Sequence, residues 1–431
     1  DYSNAQPYIG ILSVLGLACL LGISRIQKPK FQLSNKCPKW IAWLPLIWFI
    51  WQIISATQTV DLAISKATLI HFGSCIAAFY LGIFVLARMR LAKLALWGAA
   101  LGLVINLIDA SREHFGGLEK TRKNIISQIE SGELDPTKIS PHLQAQGKSL
   151  PAEIREKIDQ LKPETAAKLK QFPVEMVKRW YSSRVYGHMF YPNALAGIIL
   201  LLLPVTLALL IDKGRWLIIR RIIALALTLI GLACLYWSGS KGGWLISLVI
   251  VGAWLLHFSL SKKLKIILVS AAMLIGLIGF VIKYADYFDK GATSIGARFG
   301  YWDAAIKTAM EEPLLGTGPG TFKIAYKRHR QPGAEPTRLT HNDYLQQASD
   351  SGWPGFVLYV AFIGSSIWTL SRRRSTEPVF IAIKLSLIAW ALQGTVEFGL
   401  YIPALAWPAW LMLGWILASP INQFDKSPNN N

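Results

Sequence analysis

The chain has 431 residues, of which 53% are hydrophobic, and it contains 17 tryptophans. Soluble globular domains are rarely this apolar, so the composition indicates a membrane protein rather than a soluble one. The net charge of +20 comes mostly from short segments between apolar runs, a distribution that argues against a nucleic-acid-binding protein.

Apolar runs long enough to cross a bilayer recur along the chain. A helix needs about 20 residues to cross about 30 Å of hydrocarbon, and a lipid-exposed backbone must satisfy its hydrogen bonds internally. The eleven predicted spans are roughly 8–25, 40–57, 67–87, 92–110, 190–211, 216–237, 242–259, 264–283, 354–370, 379–397 and 402–419. The sequence therefore predicts an all-α polytopic membrane protein with about 11–12 transmembrane helices.

The charge of the connecting segments predicts the orientation of these spans. If the spans alternate, the short basic segments all fall on one side, and an excess of Lys and Arg marks the cytoplasmic side. These segments are residues 25–39, 88–93, 213–221, 262–265 and 372–374. The same alternation puts Asp1 outside and Asn431 inside.

The spans and polar segments divide the chain into five regions. Residues 1–110 are the N-terminal transmembrane helices, and residues 111–189 are an extracytoplasmic polar helical insert. Residues 190–283 are the central transmembrane helices, and residues 284–353 are a second extracytoplasmic loop. Residues 354–431 comprise the C-terminal transmembrane helices and a cytoplasmic tail.

The insert 111–189 is rich in Glu, Lys and Gln. Its stretch 151–172, PAEIREKIDQLKPETAAKLKQF, predicts short surface helices joined by a proline turn. Loops of this length are usually functional or flexible, but nothing in the insert points to a particular chemistry.

The second polar segment contains a predicted amphipathic helix over 298–310. Its apolar residues recur near helical spacing, and a tryptophan-bearing helix of this kind is typical of a membrane surface. These residues are Phe299, Trp302, Ile306 and Met310. The sequence Glu311-Glu312-Pro313 ends the predicted helix, and the glycine-rich residues 314–320 predict a tight turn.

A histidine motif follows in the same segment. His341-Asn342 is separated by nine residues from Gly352-Trp353-Pro354-Gly355. This pattern, in a large extracytoplasmic loop, resembles the O-antigen ligase superfamily of lipid-linked glycan ligases, polymerases and bacterial O-linked oligosaccharyltransferases. PLLGTGPGTF upstream of the histidine and Pro-Asn-x-x-Ala-Gly at 192–197 are similar too, so the resemblance covers roughly 184–355.

The resemblance implies an architecture like that of the C-type glycosyltransferases. Members of the family commonly have about twelve spans with both ends inside, so a helix missing before Asp1 would account for the odd number of spans. It also implies a location in the bacterial cytoplasmic (inner) membrane, with the site facing the periplasm.

The resemblance implies a catalytic role for His341. An alcohol is a poor nucleophile at neutral pH, and a histidine can remove its proton as the new C–O bond forms. The alternative is that His341 caps the helix that starts near Asn342.

Three cations are implied to hold the diphosphate of a lipid-linked donor. Arg298 offers a planar fork that pairs with phosphate oxygens, although an interfacial arginine that reaches lipid headgroups is the alternative. Lys241 lies in Ser-Lys-Gly-Gly, where the family often has arginine, so it keeps the charge but loses the bidentate geometry. Arg184 either binds phosphate or holds its loop in place.

Other residues are candidates for support. They are Asn342, Gly352, Gly355 and Glu397, of which Glu397 could pair with one of the cations. His188 and Asn193 are interpreted as structural. The sequence has no phosphate-binding loop for ATP, no metal-ligand cluster and no DxD-type nucleotide-sugar site, so we expect neither a cofactor nor a metal.

The expected activity is transfer of a glycan from undecaprenyl diphosphate to an acceptor hydroxyl on lipid A core or a similar acceptor. A polymerase, whose acceptor is another lipid-linked glycan, and a protein O-oligosaccharyltransferase remain alternatives. A solute transporter is a fourth, but transport predicts paired mid-membrane charges and broken helices. The expected partners are thus the lipid-linked donor, a lipid, glycan or protein acceptor, and membrane lipids, with no nucleic acid.

Overall fold

The computed structural model describes residues 38–88, 92–136, 150, 152–172, 174–189, 191–211, 216–257, 260–289, 293–332, 334 and 336–419. The predicted span 8–25 and the basic segment before residue 38 lie outside the described residues.

The described part of the chain consists of helices and connecting turns, with no strand. The helices are α1 (Lys39–Ser55), α2 (Leu62–Phe84), α3 (Lys93–Arg112), α4 (Leu118–Glu130), α5 (Ala152–Asp159), α6 (Pro163–Gln171), α7 (Val174–Trp180), α8 (Pro192–Ile211), α9 (Leu217–Ser238), α10 (Lys241–Leu255), α11 (Lys262–Asp289), α12 (Thr293–Glu311), α13 (Phe322–His329), α14 (Asp343–Arg372), α15 (Pro378–Gln393) and α16 (Pro403–Ala418).

Ten apolar helices correspond to the ten predicted spans that lie within the described residues. Seven are long and apolar enough to cross a membrane: α1, α2, α3, α8, α9, α11 and α14. The helices α10, α15 and α16 are apolar but shorter. The protein is therefore an all-α polytopic membrane protein, as the sequence predicts.

Two predicted spans differ at their ends from the helices of the structure. The predicted span 354–370 is the second half of a longer helix, because α14 already begins at Asp343. The predicted span 379–397 ends early, because α15 stops at Gln393 and the chain then turns, which puts Glu397 in a connecting segment rather than inside a span.

Helix α8 lies at the centre of the bundle. Most of its side chains are buried, and it packs against α9, α15 and α3. Helices α2 and α16 pack closely against each other. A Cβ atom added at Gly82 would lie 2.3 Å from the Leu411 carbonyl oxygen, and one added at Gly414 would lie 2.0 Å from the Phe79 carbonyl oxygen. Such small residues let helix backbones approach closely in a membrane.

A kink divides α14. Ser351 and Gly352 leave the helical conformation, and Gly352 has φ +69°. A Cβ atom at Gly352 would lie 2.3 Å from the Leu314 carbonyl oxygen, so only glycine fits against the glycine-rich turn. The carbonyl groups released by the kink are satisfied: Ser349 and Asp350 accept from the amides of Thr317 and Gly318, at 3.1 and 2.9 Å.

Helix α1 binds the same kink through side-chain hydrogen bonds. Gln52 Nε2 donates to Ser351 Oγ at 2.8 Å, and Trp51 Nε1 donates to the Ser351 carbonyl at 2.9 Å. The first half of α14 is thereby held at a fixed angle to its membrane-spanning half.

The insert between α3 and α8 has a small core of its own, built from α4 to α7. The buried residues of this core are Ile129, Ile158, Ala166, Leu169, Phe172 and Val177. The short helices α5 and α6 meet at Pro163, as the sequence predicts. Glu113 closes the base of the insert, because its Oε2 accepts from the amides of Tyr186 and Gly187 at 2.7 and 2.8 Å.

Helix α12 confirms the helix predicted over 298–310. Phe299 and Met310 are exposed, whereas Tyr301 and Ala305 are buried against α13. The exposed face of the helix therefore carries Phe299 and Met310 together with the ion pair between Asp303 and Lys307.

Candidate functional site

One cavity brings together the predicted site residues at the end of the bundle that carries both polar segments. Its volume is about 170 Å³. It is lined by Arg184, Tyr191, Asn193, Gly239, Ser240, Lys241, Gly242, Ser294, Ala297, Arg298, Tyr301, His341, Val396 and Glu397. The four residues predicted to catalyse transfer or bind diphosphate are all in this wall, although they come from widely separated parts of the chain.

Glu397 connects three other residues of the cavity wall. Its Oε1 accepts from the Arg298 guanidinium and from the Asn193 side-chain amide, while its Oε2 lies 3.2 Å from His341 Nδ1. The Glu397 side chain is only 9% exposed, compared with 19% for Arg298 and 17% for His341. The acid is therefore more deeply buried than the guanidinium and the imidazole that it binds.

His341 does not cap the helix that follows it. Asn342 is the N-cap of α14, with its Oδ1 accepting from the amides of Tyr344 and Leu345, both at 3.0 Å. The alternative role for His341 as a cap is therefore wrong. His341 has φ +54°, a left-handed conformation that is costly for a residue with a Cβ atom.

The contact with Glu397 favours one tautomer of His341. An ionised carboxylate can only accept, so Nδ1 carries a proton and donates to Glu397 Oε2. In the neutral ring the other nitrogen, Nε2, then holds the lone pair. This is the arrangement that a general base requires.

Aromatic rings enclose the His341 imidazole. The ring of Tyr301 stacks on it with centroids 5.9 Å apart, and Phe398 contacts it edge-on at 4.8 Å. Tyr191 lies 6.3 Å away on a further side. These rings restrict the imidazole to the orientation in which it meets Glu397.

The start of α14 is tied to the segment that carries Glu397. The Asp343 amide donates to the Gly394 carbonyl at 2.7 Å, and Asp343 Oδ2 accepts from the Leu400 amide at 2.9 Å. Tyr344 also donates through its hydroxyl to the Ala391 carbonyl at 2.9 Å. His341 and Glu397 are therefore held in register by bonds on both sides of the contact between them.

Arg184 lies beside the centre of the cavity. Its Nε donates to the Ser238 carbonyl at 2.6 Å, and its Nη2 donates to Asn193 Oδ1 at 2.7 Å. Burial lowers the pKa of the Arg184 guanidinium from its ordinary value. Asn193, interpreted from sequence as structural, links Arg184 to Glu397 within the cavity wall.

Lys241 is the first residue of α10, so its ammonium adds to the positive end of a helix dipole. Its Nζ lies over the rings of Tyr287 and Tyr284, at 3.7 and 4.9 Å from their centroids. The neighbouring glycines serve packing, since a Cβ atom at Gly243 would lie 2.8 Å from the Ala196 Cβ atom.

Lys283 is a cation that the sequence analysis missed. It projects from α11 over the Tyr236 ring, and its Nζ lies 5.9 Å from the centroid of the same Tyr284 ring that Lys241 contacts. The signal was present in the sequence, because Lys283, like Lys241, is a cation at the outer end of a span and opposes the positive-inside trend.

Gly352 and Gly355 do not line the cavity. They build the kink of α14, where a Cβ atom at Gly355 would lie 2.0 Å from Ser351 Oγ. Their contribution is to fix the direction of the helix whose N-terminus carries Asn342 and His341.

The charge around the cavity is positive. The cations Arg184, Lys241 and Arg298 line it, and Glu397 is the acid in its wall. Lys283 lies near Lys241, on the same Tyr284 ring. Across the described residues there is no group of three His, Cys, Asp or Glu side chains arranged to hold a metal. The arrangement is suited to binding an anion with more than one negative charge next to a histidine.

Residues 224–360 match a protein-family model described as O-antigen ligase. This segment contains Lys241, Arg298 and His341, whereas Arg184, Asn193 and Glu397 lie outside it. The matched segment therefore begins later in the chain than the resemblance seen in the sequence, which begins near residue 184.

An uncharacterized protein of Haemophilus influenzae is 28% identical to this chain over 164 residues. The alignment covers 32% of this chain and 41% of the relative, so the chain spans about two fifths of the length of the curated relative it matches.

Proposed function

We propose that this chain, whose residues 224–360 match the O-antigen ligase family model, transfers a glycan from undecaprenyl diphosphate to an acceptor hydroxyl. The reaction would occur at the outer face of the cytoplasmic membrane. The observation that carries this proposal is the convergence of His341 with Arg184, Lys241 and Arg298 in one cavity at the end of a membrane bundle.

In the proposed reaction the acceptor hydroxyl enters beside Nε2 of His341. As its oxygen attacks the anomeric carbon of the donor sugar, its proton moves to Nε2 and the bond from that carbon to the diphosphate oxygen breaks. The bonding electron pair leaves with undecaprenyl diphosphate, and direct displacement inverts the anomeric carbon. Glu397 stabilises the imidazolium that results.

The cations act on the leaving group. Negative charge on the diphosphate increases as the glycosidic bond breaks, and a preorganised cation stabilises that charge most strongly where water is excluded. Arg298 and Arg184 offer planar donor groups, whereas Lys241 offers a point charge at a helix N-terminus. These residues supply the stabilisation that a metal ion supplies in other transferases.

The identity of the acceptor distinguishes a ligase from the related polymerases and protein-glycosylating enzymes. Lipid A core as the acceptor makes the protein a ligase, and a second lipid-linked glycan makes it a polymerase. Protein as the acceptor is the alternative favoured by the insert, because α4 to α7 form a folded unit whose chain leads directly into Arg184. A transporter is disfavoured, because the charged groups of the cavity lie at the ends of candidate spans or outside them.

The test is the profile of lipid-linked glycan and lipopolysaccharide in a deletion strain, complemented by the wild-type chain or by His341→Ala. Ligase activity predicts long glycan that stays on its lipid carrier, whereas loss of a polymerase leaves single repeat units. An unchanged lipopolysaccharide profile with unmodified proteins indicates the protein-glycosylating enzyme. Normal profiles for lipid, polysaccharide and protein glycans together would contradict all three transferase assignments.

A further inference from the structure

Glu397 binds the two groups that the proposed reaction uses for different purposes. Arg298, assigned to the leaving group, binds Oε1, and His341, assigned to the acceptor, binds Oε2 at 3.2 Å. A single carboxylate therefore connects the donor side of the cavity to the acceptor side. Glu397 also lies outside the segment that matches the family model.

Arg298 pairs with Glu397 and would gain a second anionic partner when a diphosphate enters. A guanidinium pairs with phosphate oxygens in a fork, and a diphosphate carries more charge than a carboxylate. The diphosphate also repels Glu397. Both effects favour transfer of Arg298 from Glu397 to the donor.

Glu397 cannot follow Arg298 when that exchange occurs. Its amide donates to the Gln393 carbonyl at 2.8 Å, and Gln393 Nε2 donates to the Asn193 carbonyl at 3.0 Å. Asn193 Nδ2 also donates to Glu397 Oε1. The carboxylate therefore remains beside His341, and its charge is no longer shared with Arg298.

We propose that Glu397 is a positioning residue that couples donor binding to activation of the acceptor. Arg298 exchanges Glu397 for the diphosphate, and the released carboxylate then orients His341 and stabilises its protonated form. This inference rests on the proposed function. It makes the histidine an effective base only when the donor is in place.

The test is Glu397→Gln in the purified full chain, reconstituted in nanodiscs. The amide keeps the shape of the side chain but removes its charge, so Arg298 loses its competing anion. We expect affinity for farnesyl diphosphate, a short isoprenoid diphosphate, to rise about tenfold, as removal of a charge-assisted competitor implies. Glycan transfer from the lipid-linked donor should fall by about 10² because His341 loses its carboxylate.

Opposite changes in binding and in transfer separate this role from a structural one. A residue that only maintains the fold would weaken both when it is replaced. Glu312→Gln is the matched control, because it removes one negative charge from an exposed position in the same polar segment and should change neither quantity. If Glu397→Gln lowers thermal stability, Glu397→Asp is the second variant. It keeps the charge that competes for Arg298, so affinity should stay near the wild-type value, whereas transfer should fall because the shorter side chain lies farther from His341. A rise in affinity without a fall in transfer would overturn the coupling.

The outcomes are distinct. Weaker binding of farnesyl diphosphate by a folded Glu397→Gln protein, or unchanged transfer, would overturn the coupling. Absence of binding by the wild-type chain would instead contradict the proposed function, and farnesol is the control that separates recognition of the diphosphate from recognition of the isoprenoid.

Discussion

Asn342 caps α14 and His341 does not, although the two residues are adjacent. Asn342 has φ −161° and accepts from two helix amides, whereas His341 has φ +54° and meets Glu397. The reversal of backbone direction between them sends one side chain to the helix and the other to the cavity. The His-Asn pair of the motif therefore combines a helix start with a site residue.

Substitutions at His341 and at Asn342 should have different effects, the first on transfer and the second on stability. His341→Asn should fold normally, because asparagine tolerates the left-handed conformation, yet transfer should fall by about 10² to 10⁴ when the general base is lost. Asn342→Ala should lower the free energy of unfolding by about 1 kcal/mol through loss of the cap. Thermal unfolding and transfer by the purified proteins measure both effects, with His257→Asn as the control. Near-normal turnover of His341→Asn would exclude the general-base role.

Exchanging arginine and lysine should have different effects at positions 298 and 241. Arg298→Lys should weaken binding of farnesyl diphosphate and lower transfer, because lysine keeps the charge but cannot form the bidentate contact. Lys241→Arg should be tolerated, since a guanidinium can occupy the same position over the Tyr287 ring. Arg330→Lys, at an exposed position in the same polar segment, is the matched control. Full activity of Arg298→Ala at normal membrane levels would remove Arg298 from the site.

Lys283 should contribute to donor binding. It shares the Tyr284 ring with Lys241, so Lys283→Gln should weaken binding of farnesyl diphosphate by about tenfold, the value of one charge-assisted contact. Lys263→Gln is the control, because Lys263 is an exposed lysine at the opposite end of the same helix. Isothermal titration of the two proteins gives the comparison, and equal affinities would place Lys283 outside the binding site.

Gly352 should be essential to the fold. Gly352→Ala forces a Cβ atom into a left-handed position and against the Leu314 carbonyl, so the free energy of unfolding should fall by at least about 2 kcal/mol. Gly364→Ala, in the same helix, meets no atom within 4 Å and should be neutral or slightly stabilising. Thermal unfolding in detergent compares the two variants. Equal stability would contradict the steric account of the motif.

The cavity should face the outside of the cell. In a background without the 4 native cysteines, Lys123→Cys and Ala334→Cys should react with a membrane-impermeant maleimide in intact cells. Lys263→Cys should react only after permeabilisation, because it lies in one of the basic segments assigned to the cytoplasm. The reverse labelling pattern would place the cavity on the cytoplasmic side and exclude a periplasmic donor site.

The sequence by itself determined the helices and the principal candidates. Apolar runs of membrane-spanning length are set by local composition, so the ten spans within the described residues were predicted with errors only at their ends. The histidine motif and the cations Arg184, Lys241 and Arg298 were also candidates, because the short motifs around them resemble those of a known family and can be matched without reference to the fold.

Only the tertiary structure decided how these residues are connected. Glu397 meets His341, Arg298 and Asn193 because α15 ends at Gln393 and the chain turns back across the cavity, and this end is set by packing against the start of α14. Lys283 comes near Lys241 through the packing of α11 on α10. Such contacts join residues far apart in the chain, and no local pattern of hydrophobicity or charge specifies them.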